Sequence, residues 1–138
     1  MDLYFSCSLT GGRQDQPVYA ALVADLQSLG HRVLTDHLAS EAVMATDSGM
    51  APEAVFTRDT GWLQACEAVI AEVSTPSHGV GFEIAYALER GKPVLCLARE
   101  GVRVSKMLTG IRQQGFAFHT YATPDEAKAR MGAFLTAL

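Results

Sequence analysis

The sequence predicts an α/β three-layer sandwich, an open parallel sheet of about five strands with helices on both faces. Three observations lead there. Short apolar segments alternate with amphipathic ones along the whole chain, at the spacing of strand and crossover helix. One of them, Ala68-Val69-Ile70-Ala71-Glu72-Val73, is apolar almost without interruption, as expected of a strand covered on both sides. Glycine, proline and small hydroxyl residues separate the segments, and neither a repeat nor a low-complexity linker interrupts them.

In chain order, Leu3, Phe5 and Cys7 followed by Ser8-Leu9-Thr10-Gly11-Gly12 read as a strand running into a glycine-rich loop. A helix starts at Pro17, carries the stripe Tyr19, Leu22, Val23, Leu26 and Leu29, and stops at Gly30. Residues 31–35 form the next strand. Residues 37–49 are small, polar and weakly periodic, a loop with at most one irregular helical turn. Over 52–66 the residues Val55, Phe56, Trp62, Leu63 and Cys66 recur at helical spacing, and Asp59 shares their face. Strand 68–73, turn 74–79, a helix over about 80–90 ended by Gly91, and strand 93–98 follow. A short helix over 104–109 and a strand over 115–121 precede a last helix carrying Ala127, Met131, Phe134 and Leu138. Its start is marked by Thr123 as N-cap, Pro124 at the first position and Glu126 placed for a capping box. The pattern is Rossmann-like or flavodoxin-like, with the ligand expected beyond the carboxyl ends of the strands.

Length and composition fit this. The 138 residues, 49% apolar and 19% charged, suit one domain spanning 1–138, large enough to build a core without disulfide or metal. A net charge of -4 with scattered Lys and Arg excludes a nucleic-acid polymer as partner. No apolar stretch approaches the roughly 18 residues of a membrane span, and the first residues lack the basic start of a signal peptide. Cys7, Cys66 and Cys96 are odd in number and set among apolar neighbours, so reduced buried thiols in a cytoplasmic protein are expected. The four histidines lack zinc-ligand spacing, and no metal is expected.

The strand-end rule selects the loops over 8–13, from 37 onward, and over 74–81. In Ser77-His78-Gly79-Val80-Gly81-Phe82-Glu83, glycines allow close approach of backbone to a ligand, and Ile84 leaves the dinucleotide fingerprint incomplete. Glu83 falls in the predicted first turn, where the helix dipole favours the charged carboxylate of a nucleophile or general base; the bland alternative is that it completes the helix start. Asp59 is either a carboxylate satisfied by backbone or, with its pKa raised by burial, a proton donor. Tyr4 is either core or a hydroxyl that orients a carboxylate. Two carboxyl groups in different environments are what cleavage of a glycosidic bond needs.

The segments Tyr4-Phe5-Ser6-Cys7-Ser8-Leu9-Thr10-Gly11-Gly12-Arg13, Thr35-Asp36-His37, Asp59-Thr60-Gly61-Trp62-Leu63 and Ala71-Glu72-Val73-Ser74-Thr75-Pro76-Ser77-His78-Gly79-Val80-Gly81-Phe82-Glu83 resemble the nucleoside 2-deoxyribosyltransferase superfamily, and within it the 2'-deoxynucleoside 5'-phosphate N-hydrolase branch. The resemblance runs from Tyr4 to about Gly110.

It implies hydrolysis of the N-glycosidic bond of 2'-deoxynucleoside 5'-monophosphates, with Glu83 as nucleophile, Tyr4 positioning it, and Asp59 serving proton transfer and sugar binding. Ser8, Leu9, Thr10, Gly11, Arg13, Ser77, Gly79 and Gly81 match the loops that hold the substrate and its phosphate, and His37 matches a family histidine near the base. Ser105 and Met107 match a segment that reaches the neighbouring site of a homodimer. No metal or organic cofactor is implied. One departure stands out: Thr10 replaces the arginine that the hydrolase branch carries before Gly-Gly, leaving Arg13 and Lys106 as nearby cations and free nucleosides as a rival substrate. A transferase passing the sugar to a second base, and a non-catalytic nucleotide sensor, are the competing functions. Base preference is not legible.

Overall fold

The computed structural model describes residues 1–9, 14–39 and 49–138. Its sheet is parallel throughout, with strand order β2-β1-β3-β4-β5. The strands are β1 (Asp2–Ser6), β2 (Arg32–Val33), β3 (Ala68–Glu72), β4 (Val94–Arg99) and β5 (Phe116–Tyr121). The helices are α1 (Gln16–Ser28), α2 (Pro52–Ala65), α3 (His78–Glu89), the short α4 (Lys106–Thr109) and α5 (Pro124–Thr136). A 3-10 turn spans Asp36–Ala39. Among the described residues no helix is long and apolar enough to cross a membrane.

Alternation along the strands sorts the core into two layers. Leu3, Phe5, Ile70, Leu95 and Leu97 pack against Leu22 and Leu26 of α1 and Met131 of α5. Tyr4, Val69, Ala71, Val94 and Cys96 pack on the other face against Leu63 of α2 and Ile84 of α3. Coverage of both faces is what the unbroken apolar run of β3 anticipates. The three cysteines are buried and form no disulfide among the described residues.

Two boundaries differ from the sequence reading for identifiable reasons. The second strand is confined to two residues because the hydroxyl of Thr35 takes over from backbone: it accepts from the Phe5 N–H (2.8 Å) and donates to the Phe5 carbonyl (2.7 Å). The third helix starts at His78 rather than near residue 80, since Ser77 is its N-cap and its Oγ accepts from the Val80 N–H. Gly79 and Gly81, weak helix formers, disguise that start. The glycine stops hold, with Gly30 at φ 84° and Gly91 at φ 69°. Thr123 caps α5 by accepting from the Glu126 N–H, while the Glu126 carboxylate accepts from the Ala122 N–H, one residue earlier than the box motif expects.

Candidate active site

At the carboxyl end of the sheet a cavity of about 190 Å³ opens between the exit of β1, α2 and the first turns of α3. Cys7 and Leu9 line it from the β1 side, Leu38 from the 3-10 turn, and Val55 and Asp59 from α2. Ser77, Gly79, Val80 and Glu83 complete it from α3, so both predicted carboxylates share one cavity. A hollow of about 300 Å³ at the other end of the sheet, lined by Leu29, His31, Gly132, Leu135 and Thr136, offers no comparable chemistry.

Glu83 is the best-anchored group in the cavity. Tyr4 donates its hydroxyl to Glu83 Oε1 (2.8 Å), and Ser6 donates its hydroxyl to Oε2. The Tyr4 side chain is fully buried, and burial together with the Glu83 charge pushes its pKa far up, which keeps it a hydroxyl donor. Burial raises the Glu83 carboxyl to about 7, the two hydroxyl donors opposing the shift. The expectation that a helix dipole stabilises this charge is therefore corrected: with α3 beginning at His78, Glu83 lies in the second turn, and burial governs its ionisation.

Asp59 sits in a different setting. Its Oδ1 accepts from the Arg58 guanidinium (2.7 Å), and both side chains are about one-fifth exposed, at 18% and 19%. Arg58 also lies over the Trp62 ring, 5.0 Å from its centroid, and approaches Met50 Sδ at 3.2 Å. The cavity thus holds an ion-paired carboxylate facing a desolvated one, and the desolvated one is Glu83.

The remaining predicted positions divide. Leu9, Ser77 and Gly79 line the cavity; Ser8 beside them is buried, and its Oγ meets no partner among the described residues. His37 does not line the cavity; its ring lies 5.3 Å from that of Trp62. Gly81 does not join the cavity: it faces outward on α3, where an added Cβ would meet nothing. Ser105 caps α4, and neither it nor Met107, 82% exposed, lines this chain's own cavity. Thr10, Gly11 and Arg13 lie outside the described residues.

Sequence reasoning missed Ser6 and Arg58. A signal existed for the first, because Tyr4, Ser6 and Ser8 fall on one face of β1 by the two-residue period of a strand. Arg58 had none, since neighbours in a helix do not normally face each other.

The family model described as nucleoside 2-deoxyribosyltransferase matches residues 3–127. The chain belongs to that family. Members similar to it include a Thermofilum pendens protein provisionally named 2'-deoxynucleoside 5'-phosphate N-hydrolase 1, which is 41% identical over 137 residues, covering 98% of this chain and 95% of the relative. The 5-hydroxymethyl-dUMP N-hydrolase of Rattus norvegicus is 39% identical over 112 residues, 78% of this chain and 68% of the relative. Among solved structures, the Clostridium botulinum CMP N-glycosidase BcmB shares the fold, with a TM-score of 0.73 at 18% identity over 97% of this chain and 99% of that one.

Proposed function

We propose that this member of the nucleoside 2-deoxyribosyltransferase family hydrolyses 2'-deoxynucleoside 5'-monophosphates to the free base and 2-deoxyribose 5-phosphate. The observation that carries the reading is a carboxylate at the cavity wall held by two hydroxyl donors, Tyr4 and Ser6, with Asp59 lining the same space. The names of the N-hydrolase relatives support the substrate class.

In this mechanism a Glu83 oxygen attacks C1' of the deoxyribose while the C1'–N bond breaks and its electron pair leaves with the base. Each carboxylate oxygen has a second lone pair, so the bonds from Tyr4 and Ser6 leave one free for attack. They fix the direction of approach, which counts for more than a mobile nucleophile of equal basicity. Asp59 passes a proton to the departing base. Water then adds to C1' and gives a proton back to Asp59, the glycosyl ester bond breaks, and Glu83 returns as a carboxylate.

Ser77 and Gly79 at the start of α3, with the buried Ser8 hydroxyl, are the candidate phosphate contacts. We assign the working form as a homodimer in which the partner's Ser105 segment closes the cavity. Phe56 and Phe82, exposed by 57% and 47%, support this: with Tyr86 they form a continuous aromatic strip on the helices that wall the site. Cytoplasmic location remains the expectation from cysteine use.

The test is base release by purified protein from a panel of deoxynucleoside monophosphates and free deoxynucleosides, with and without an acceptor base. Release from the monophosphates, independent of acceptor and abolished in Glu83→Ala, is expected. Release that requires an acceptor identifies a transferase. Thermal stabilisation by nucleotides without any release identifies a sensor.

A further inference from the structure

A second group of carboxylates lies outside the cavity, and the mechanism does not use it. Glu72 ends β3 with no exposure at all, and Asp15, just before α1, is 1% exposed. Buried carboxylates are retained only where partners surround them. Around Glu72 the partners are the Tyr121 hydroxyl at the end of β5 (2.9 Å) and the hydroxyl and N–H of Ser74. The Ser74 hydroxyl accepts in turn from the Arg99 N–H at the end of β4 (2.7 Å). The Arg99 guanidinium pairs with Asp15 Oδ1, and the Thr75 hydroxyl donates to Asp15 Oδ2 (2.9 Å) while accepting from the Gln14 side-chain amide (3.4 Å).

Asp15 shows where this chain's effort goes. It stands at the N-cap of α1, yet its side chain makes no bond to its own helix; one oxygen reaches the end of β4 and the other the loop after β3. The result is a tie between the segment that leaves β1 and the segment that leaves β3. Cys7 and Leu9 line the cavity from the first segment; Ser77 and Gly79 line it from the second, two and four residues beyond Thr75.

We propose that the chain Tyr121, Glu72, Ser74, Arg99, Asp15 and Thr75 is a positioning device that sets the distance between the two substrate-holding loops, and so governs affinity rather than the chemical step. It rests on the reading of the cavity as a deoxynucleotide site. Separation of the two effects follows from the geometry, since Glu83 is anchored independently by Tyr4 and Ser6 of β1. Contacts from the loops are made equally in ground and transition states, and losing them raises KM with little change in kcat.

Thr75→Val removes the tie at constant volume, Thr75→Ser keeps the hydroxyl, and Tyr121→Phe removes the opposite end of the chain. The measurements are kcat and KM for a deoxynucleoside monophosphate, and the Kd of the same nucleotide in a Glu83→Gln background. Thr75→Val is expected to raise both KM and Kd by at least about tenfold with kcat within about threefold, and Thr75→Ser to restore both to within about twofold. If Thr75→Val does not fold, Tyr121→Phe decides by a rise of a few fold in KM and Kd. Unchanged KM and Kd in a folded variant, or a fall confined to kcat, overturns the proposal. Nucleotide binding without turnover by the parent defeats the hydrolase reading alone, because the Kd comparison still judges the tie; a parent that binds no nucleotide overturns both.

Discussion

Replacing Glu83 by Gln is expected to abolish activity and to stabilise the protein, and the second effect is the sharper test of the site. Burial holds the Glu83 carboxyl at about 7 against a reference of 4.5. The folded chain therefore binds this proton more tightly than the unfolded one. Below pH 4.5 both forms are protonated and the group is neutral to stability; as pH rises from 4.5 to 7 only the unfolded chain gives up the proton, and stability falls. At about 1.4 kcal/mol per pH unit, the full penalty above neutral pH is about 3 kcal/mol. Glu83→Gln carries no charge, and its amide can donate to one of the two hydroxyl oxygens and accept from the other, as the protonated acid would. Urea unfolding of parent and variant at about pH 8 should differ by most of that amount, or by roughly 10 °C in Tm, with the gap closing near pH 4.5. Glu72 is also buried with a raised pKa, but it is present in both proteins and cancels in the comparison. A variant that is no more stable than the parent in alkali, or a gain that ignores pH, would refute the desolvated-nucleophile argument.

Two other outcomes follow. Activity against pH should rise through about 7 as Glu83 ionises, and Tyr4→Phe, which removes a bond that lowers this pKa, should move that limb upward and reduce kcat by about tenfold to a hundredfold; a pH profile of kcat/KM checks both. Phe82→Asp, placed in the exposed aromatic strip, should give a monomer in sedimentation and lose activity if Ser105 is supplied by the partner; a fully active monomer would remove the segment from the site.

Much of the fold was legible because its signals are local. Alternation in β1, the apolar run of β3, the stops at Gly30 and Gly91 and the cap at Thr123 each sit within a few residues. What was misplaced depends on partners distant in sequence. Thr35 ends β2 by bonding Phe5, 30 residues earlier, and nothing around Thr35 announces it. The site shows the same division. Glu83, Asp59 and Tyr4 stand out as residue types in a motif, whereas the ionisation of Glu83 follows burial rather than the helix start, and burial is a property of the packed cavity. Arg58, which pairs with Asp59, looks like any helix-surface cation until the chain is folded. Gly81 belongs to the motif but faces away from the cavity, since helical phase rather than proximity in sequence decides what points inward.

The anchoring of Glu83 by Tyr4 and Ser6 joins a helix to a strand that lies 77 or more residues earlier. The proposed reactive group is consequently not encoded in either segment but comes into being only when the first strand has docked against the third helix. Turnover then doubles as a probe of that single docking event, and a chain split or permuted between the two segments would regain catalysis only to the extent that they find each other again.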